Sequence, residues 1–240
     1  MIGKCVAVLF VALGYWFSTP SLSYGVPLST LFQGGTVTAD DKLFSGWTLV
    51  DLVTVNGGLA NLGQVDVTPL INDPLNPGVQ FVAPIGALGT PFGHQGPSSV
   101  HLVFSFNVQT TNQLPIIKDN SLLIDQWTFD AGPLATIQIA ENIFGATGAQ
   151  IGDKLVLVRN GDQPGNPNHF DSAQFNPTSF VHVVKVIDIN GPGTNDGAFI
   201  RRFEQRFSQV PEPPSVILLL TAAGAAVLMW SRRTKCKCPS

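Results

Sequence analysis

The chain has 240 residues, 44% of them apolar and only 12% charged, with 24 Gly and 18 Pro. That charge fraction is about half the roughly 25% of an average soluble protein, and the Gly and Pro content argues against a helical bundle or coiled coil, which needs Ala, Glu, Lys, Leu and Arg in quantity. A formal net charge of −3 supplies no basic face to neutralise phosphates, which argues against a nucleic-acid partner.

The first 25 residues read as an export signal. Lys4 precedes an apolar run from Cys5 to Phe17, followed by Pro20 and the small residues Ser21, Ser23 and Gly25. A positive end, a short apolar stretch and small residues at a cleavage point are the parts that a secretion translocase and a signal peptidase act on. Cleavage is expected after Ser23 or Gly25; a retained N-terminal anchor is the other reading of the same run. Beyond this segment, residues 24 to 209 contain no Cys and carry 8 Lys plus Arg against 15 Asp plus Glu, a net −7. An exported body of residues 26–209 is therefore acidic, is not a disulfide scaffold, and must fold on its own core.

The pattern through that body is β. Val100, Leu102, Phe104, Phe106 and Val108 alternate with mostly polar neighbours, the period of 2 of a half-buried strand. Further strands are predicted at Trp47–Val55, Gln64–Thr68, Val79–Val82, Leu122–Phe129, Ala135–Glu141, Lys154–Val158, Phe180–Asp188 and Phe199–Gln205. Turn clusters such as Asn56-Gly57-Gly58, Asn72-Asp73-Pro74 and Asn160-Gly161-Asp162 separate them, as expected of sharp chain reversals. Short strands at this spacing predict a mainly β protein: one antiparallel β-sandwich, of immunoglobulin-like or jelly-roll type, between an N-terminal signal helix and a C-terminal transmembrane helix.

Signatures of catalysis are missing. The chain has no Gly-x-Ser-x-Gly elbow, no His-Glu-x-x-His, no phosphate loop of the Gly-Lys-Ser/Thr type and no dinucleotide glycine fingerprint, so no enzyme activity and no cofactor is expected. His101 and His182 fall in predicted strands, His101 on the face opposite Leu102 and Phe104, where a solvent-facing or cross-strand role follows. His94 and His169 fall in loops. Only Glu141 and Glu204 supply glutamates to the body, and they are the carboxylates a glycan-active hydrolase would draw on. Asp188, Asn190, Asn195 and Asp196 place short oxygen donors around glycines, a pattern that suits calcium and equally suits ordinary turns.

At the C-terminus, Val210-Pro211-Glu212-Pro213 leads into an uncharged run from Ser215 to Trp230, and Arg232, Arg233, Lys235 and Lys237 follow. The run is apolar on every side, which predicts a transmembrane helix over residues 214–231 rather than a core helix with one apolar stripe. Four cations behind it place the tail, residues 232–240, in the cytoplasm and the body outside. Cys236 and Cys238 lie in that tail without a second ligand pair, so no metal is expected there.

These three features in fixed order resemble the sorting signal of bacterial PEP-CTERM proteins, the substrates of exosortase. The resemblance covers residues 210–240, and the tail beyond Arg233 is longer than the usual basic stop. It implies export, transient retention in the inner membrane, and processing near Val210–Pro213 by a membrane-embedded transpeptidase. The destination it implies is the cell surface or extracellular matrix of a Gram-negative bacterium that makes exopolysaccharide. The body also resembles a recurring uncharacterised type within that family, through Asp41-Lys42-Leu43-Phe44-Ser45-Gly46-Trp47, Val67-Thr68-Pro69, Asn76-Pro77-Gly78-Val79-Gln80-Phe81 and Phe203-Glu204-Gln205-Arg206-Phe207. No activity accompanies that type. The expected function is a non-enzymatic structural or adhesive one at the cell surface; the alternatives are a secreted carbohydrate-binding or calcium-stabilised adhesion module, and a glycan-active hydrolase.

Overall fold

The computed structural model describes residues 25–87, 97–111, 117–130, 132, 134–163, 165–193 and 196–209. Apart from Gly25, the predicted signal segment lies outside these residues, as do the sorting motif, the predicted transmembrane helix and the basic tail. Among the described residues no helix is long and apolar enough to cross a membrane.

Among the described residues thirteen strands run in chain order: β1 (Val26–Pro27), β2 (Val37–Ala39), β3 (Lys42–Val55), β4 (Gly58–Ala60), β5 (Asp66–Leu70), β6 (Gly78–Ala87), β7 (Ser98–Thr110), β8 (Ile117–Phe129), β9 (Thr136–Gly145), β10 (Gln150–Arg159), β11 (Phe170–Thr178), β12 (Phe180–Gly191) and β13 (Ala198–Arg206). One short helix, α1 (Leu28–Leu31), follows β1 and buries both of its leucines. Each of the nine predicted strands overlaps an observed one. In β7 the five alternating residues are at most 1% exposed, so the period of 2 translates directly into an inward face. The unpredicted strands β1, β2 and β4 are too short to show a period. The fourth unpredicted strand is β11, whose Asp171, Ser172, Asn176 and Pro177 carry little strand propensity.

All strand pairs are antiparallel, and they form two sheets. The first has the order β1-β5-β6-β13-β8-β11, with β4 also paired to β6; the second has the order β10-β9-β12-β7-β3-β2. Packed face to face they make the expected sandwich. At one margin the amide of Leu155 in β10 donates to Asp171 Oδ2 in β11 at 2.8 Å, which ties the two sheets together.

Aromatic side chains fill the space between the sheets. Trp47 of β3 stacks on Phe106 with centroids 4.5 Å apart, and meets Phe81 of the opposite sheet edge-on at 6.2 Å. Phe81 stacks on Phe203 of β13 at 4.4 Å. Such rings bury large apolar area and add a geometric preference of their own. Close approach also matters where β6 meets β13. A β-carbon at Gly78 would stand 2.1 Å from the Gln205 carbonyl oxygen and 2.8 Å from Arg206 Cα, both backbone atoms that cannot turn away. Gly78→Ala is therefore expected to cost about 1–3 kcal/mol through overpacking, read as a lower urea midpoint; an unchanged midpoint contradicts this account.

Candidate functional site

Strand alternation gives the outer face of the first sheet a chemistry of its own. Register aligns Phe170 of β11 with Leu123 of β8 and Glu204 of β13, then with Gln80 of β6. The next outward row holds Ser172, Ser121 and Arg206. Between these rows lies a cleft of about 410 Å³, with Asp119 and Gln174 at one end. That volume falls within the roughly 300–1,000 Å³ of small-molecule sites.

One wall of the cleft is a fixed polar chain. Gln80 Nε2 donates to Glu204 Oε1 at 2.9 Å, and Arg206 donates to Glu204 Oε2 from Nε at 3.2 Å and from Nη2 at 3.0 Å. Arg206 Nη1 continues the chain to Asn72 Oδ1 at 3.2 Å and to the Asn76 carbonyl at 3.4 Å. A guanidinium held by this many acceptors has little rotamer freedom left to lose on binding. The other wall is apolar: Phe170 is 52% exposed, beside its register partner Leu123. Among the described residues the side chains of Ser121, Ser172 and Gln174 form no hydrogen bond, so their polar groups are open to a ligand or to water.

The interior holds a second polar group of residues. Glu141 (1% exposed), Lys154 (3%), Lys185 (0%) and Gln205 (0%) meet between the sheets. The Glu141 carboxylate accepts from Lys185 Nζ and Gln205 Nε2, and Lys154 Nζ is ion-paired with it at 2.5 Å. Burial pushes both lysine amines well below their usual range, although Asp171 and Asp119 partly offset this for Lys154. Sequence reasoning missed this group. Its signal was present as a charge interrupting an apolar face three times: Lys185 among Val181, Val183, Ile187 and Ile189, Glu141 among Ile137, Ile139 and Ile143, and Lys154 before Val156 and Val158.

The two glutamates considered for glycan cleavage do not converge. Glu204 faces outward on β13, whereas Glu141 reaches the inward-facing Gln205 next to it in sequence. The first sheet thus stands between them, so these two carboxylates do not flank one glycosidic bond. The oxygen donors considered for calcium are engaged separately. Asp188 Oδ1 bonds His101 Nδ1 at 2.6 Å across β12 and β7, and Asp196 Oδ1 accepts from the Leu134 amide at 3.3 Å. Asn190 is exposed on β12, and Asn195 lies outside the described residues. Among the described residues no group of three or more His, Cys, Asp or Glu could hold a metal.

His101 is the cross-strand partner its position predicted. His182 Nδ1 meets Asn107 Oδ1 at 2.7 Å, and desolvation lowers its pKa below the ordinary histidine value. His169 is buried edge-on against Trp127 at 4.4 Å, and His94 lies outside the described residues. Gly25 leads directly into β1, so a cut after it leaves every strand in place. Ser23, the motif Val210, Pro211, Glu212 and Pro213, and the cations Arg232, Arg233, Lys235 and Lys237 lie outside the described residues.

No family model matches the chain, and no curated protein matches it. Among solved structures the chain shows weak similarity to three, each at low identity. TmCBM61, in complex with β-1,4-galactotriose, is 13% identical, with 65% of this chain and 88% of that chain covered and a TM-score of 0.25. TmCBM27, a carbohydrate-binding module described for specific mannan recognition, is 8% identical over 69% of this chain and 99% of that one, with a TM-score of 0.29. Endoglucanase 3 of Trichoderma harzianum, from family GH12, is 8% identical over 66% and 99%, with a TM-score of 0.24.

Proposed function

We propose that the chain is a glycan-binding module whose binding face is the cleft across β13, β8 and β11. The observation that carries this reading is the exposed ring of Phe170 opposite the fixed chain Gln80–Glu204–Arg206–Asn72. A sugar ring has an apolar C–H face and a polar rim of hydroxyls. The face packs on an aromatic ring, whose π-cloud is negative, and the rim pairs with charge-assisted donors and acceptors set in plane. Net charge narrows the ligand class. A body at −7 repels polyanions, so a neutral polysaccharide is the better match.

The wider reading belongs to the same proposal. Export by the N-terminal signal and sorting by an exosortase-type transpeptidase at Val210–Pro213 would place the module at the cell surface or in the matrix, where exopolysaccharide is at hand. There it would serve adhesion without catalysis.

Affinity electrophoresis and titration calorimetry against a panel of neutral and acidic polysaccharides test the reading. The wild-type protein is expected to bind at least one neutral polymer, and Phe170→Ala to weaken that binding about tenfold or more while the melting midpoint holds. A wild type that binds none of the panel, or a Phe170→Ala variant of full affinity, overturns the assignment.

A further inference from the structure

The interior group of Glu141, Lys154, Lys185 and Gln205 has an unbalanced composition. Lys154, Glu141 and Lys185 stand in one register row across β10, β9 and β12, while Gln205 reaches them from β13 in the opposite sheet. Two amines face a single carboxylate. A buried polar atom is costly unless it is bonded, yet among the described residues Gln205 Oε1 has no hydrogen-bond partner.

Lys185 is the amine placed to react. Its Nζ lies 5.2 Å from the ring centroid of Phe203 and 5.8 Å from that of Phe81, so it is walled from water by aromatic faces. Burial favours its neutral, nucleophilic form, as it does in desolvated catalytic lysines. The carboxamide of Gln205 is the one amide in the group, and it is bonded to the same Glu141 carboxylate that Lys185 contacts. Lys185 Nζ donates to Glu141 Oε1, and Gln205 Nε2 donates to Glu141 Oε2 at 3.1 Å. One carboxyl group therefore bridges a nucleophile and a leaving group, with one oxygen on each. That is the placement a proton relay needs.

We propose that Lys185 and Gln205 become joined by an isopeptide bond, a covalent staple between the two sheets, with Glu141 relaying the proton. The Lys185 Nζ lone pair attacks Gln205 Cδ, and the Nζ proton passes to Glu141 Oε1. Glu141 then gives that same proton to Nε2, which already points at its carboxyl group, the Cδ–Nε2 bond breaks, and ammonia leaves. The new Nζ–Cδ amide is neutral, so Glu141 and Lys154 remain as a balanced pair. No oxidant or cofactor enters the balance. The staple also gives a body without cysteine the cross-link that exported domains commonly draw from disulfides.

Tryptic digestion of the full-length chain followed by tandem mass spectrometry decides the matter. In the wild type the expected product is peptide 160–201, uncut after Lys185, carrying peptide 203–206 through Gln205 and lighter than the sum by one ammonia. Glu141→Gln is expected to yield free peptides 160–185, 186–201 and 203–206, with circular dichroism reporting whether that variant folds. Complete cleavage after Lys185 in the wild type overturns the proposal whatever the variant does. A peptide joined instead through Glu141 with loss of water overturns the assigned acceptor, and a folded Glu141→Gln chain that still carries the Lys185–Gln205 link overturns the relay.

Discussion

Glu141→Ala is expected to cost about 3–5 kcal/mol of folding stability, the penalty for removing one partner of a buried ion pair. The wild-type carboxylate is 1% exposed and contacts Lys154, Lys185 and Gln205. Truncation leaves two buried amines without an anion and Gln205 Nε2 without its acceptor, in a region that water does not reach. A loss of this size is a large part of the roughly 5–15 kcal/mol that holds a domain folded. Urea denaturation followed by tryptophan fluorescence would measure it. Glu204→Ala is the contrasting variant, because Glu204 lies on the outer face at 16% side-chain exposure and its neighbours can turn to solvent. If the two variants lose equal stability, the interior ion group does not have the structural weight assigned to it.

Trp47→Ala is the second large effect, again about 3–5 kcal/mol. Trp47 is 4% exposed and touches the rings of Phe81, Phe104 and Phe106, so its removal opens a cavity where the two sheets meet. For a body of this size the loss corresponds to a drop in melting midpoint of roughly 10 °C or more. Trp47→Phe is expected to lose far less. It retains a stacking ring and removes an indole Nε1 that has no hydrogen-bond partner among the described residues, a group whose burial is itself unfavourable. Calorimetric midpoints for the pair check the account; equal losses for Ala and Phe would show that ring packing is not what Trp47 contributes.

Much of the sandwich was legible in the chain because strand faces are local. Val100 to Val108 displays its inward side through alternation alone. The cleft was not legible. Phe170 stands in the polar stretch Asn168-His169-Phe170-Asp171-Ser172, where nothing marks it as part of a strand, and β11 enters the sheet only because β8 offers an edge to pair with. Glu204 was noticed for its acidity, but its outward direction follows from a register that also places Gln205 inside.

By itself, then, the sequence determined which side of the strand Val100–Val108 would be apolar, that the body would have no disulfide, and where the acidic charge would lie. These are properties of single strands or of composition, and backbone geometry imposes them residue by residue. Only the tertiary structure decided that Lys185, Glu141 and Lys154 share a row, that Gln205 meets them from the other sheet, and that Phe170 faces Arg206 across a cleft. Those meetings depend on strand order and register between segments as far apart as positions 80 and 204, and the alternation within one strand is the same whichever partner lies beside it.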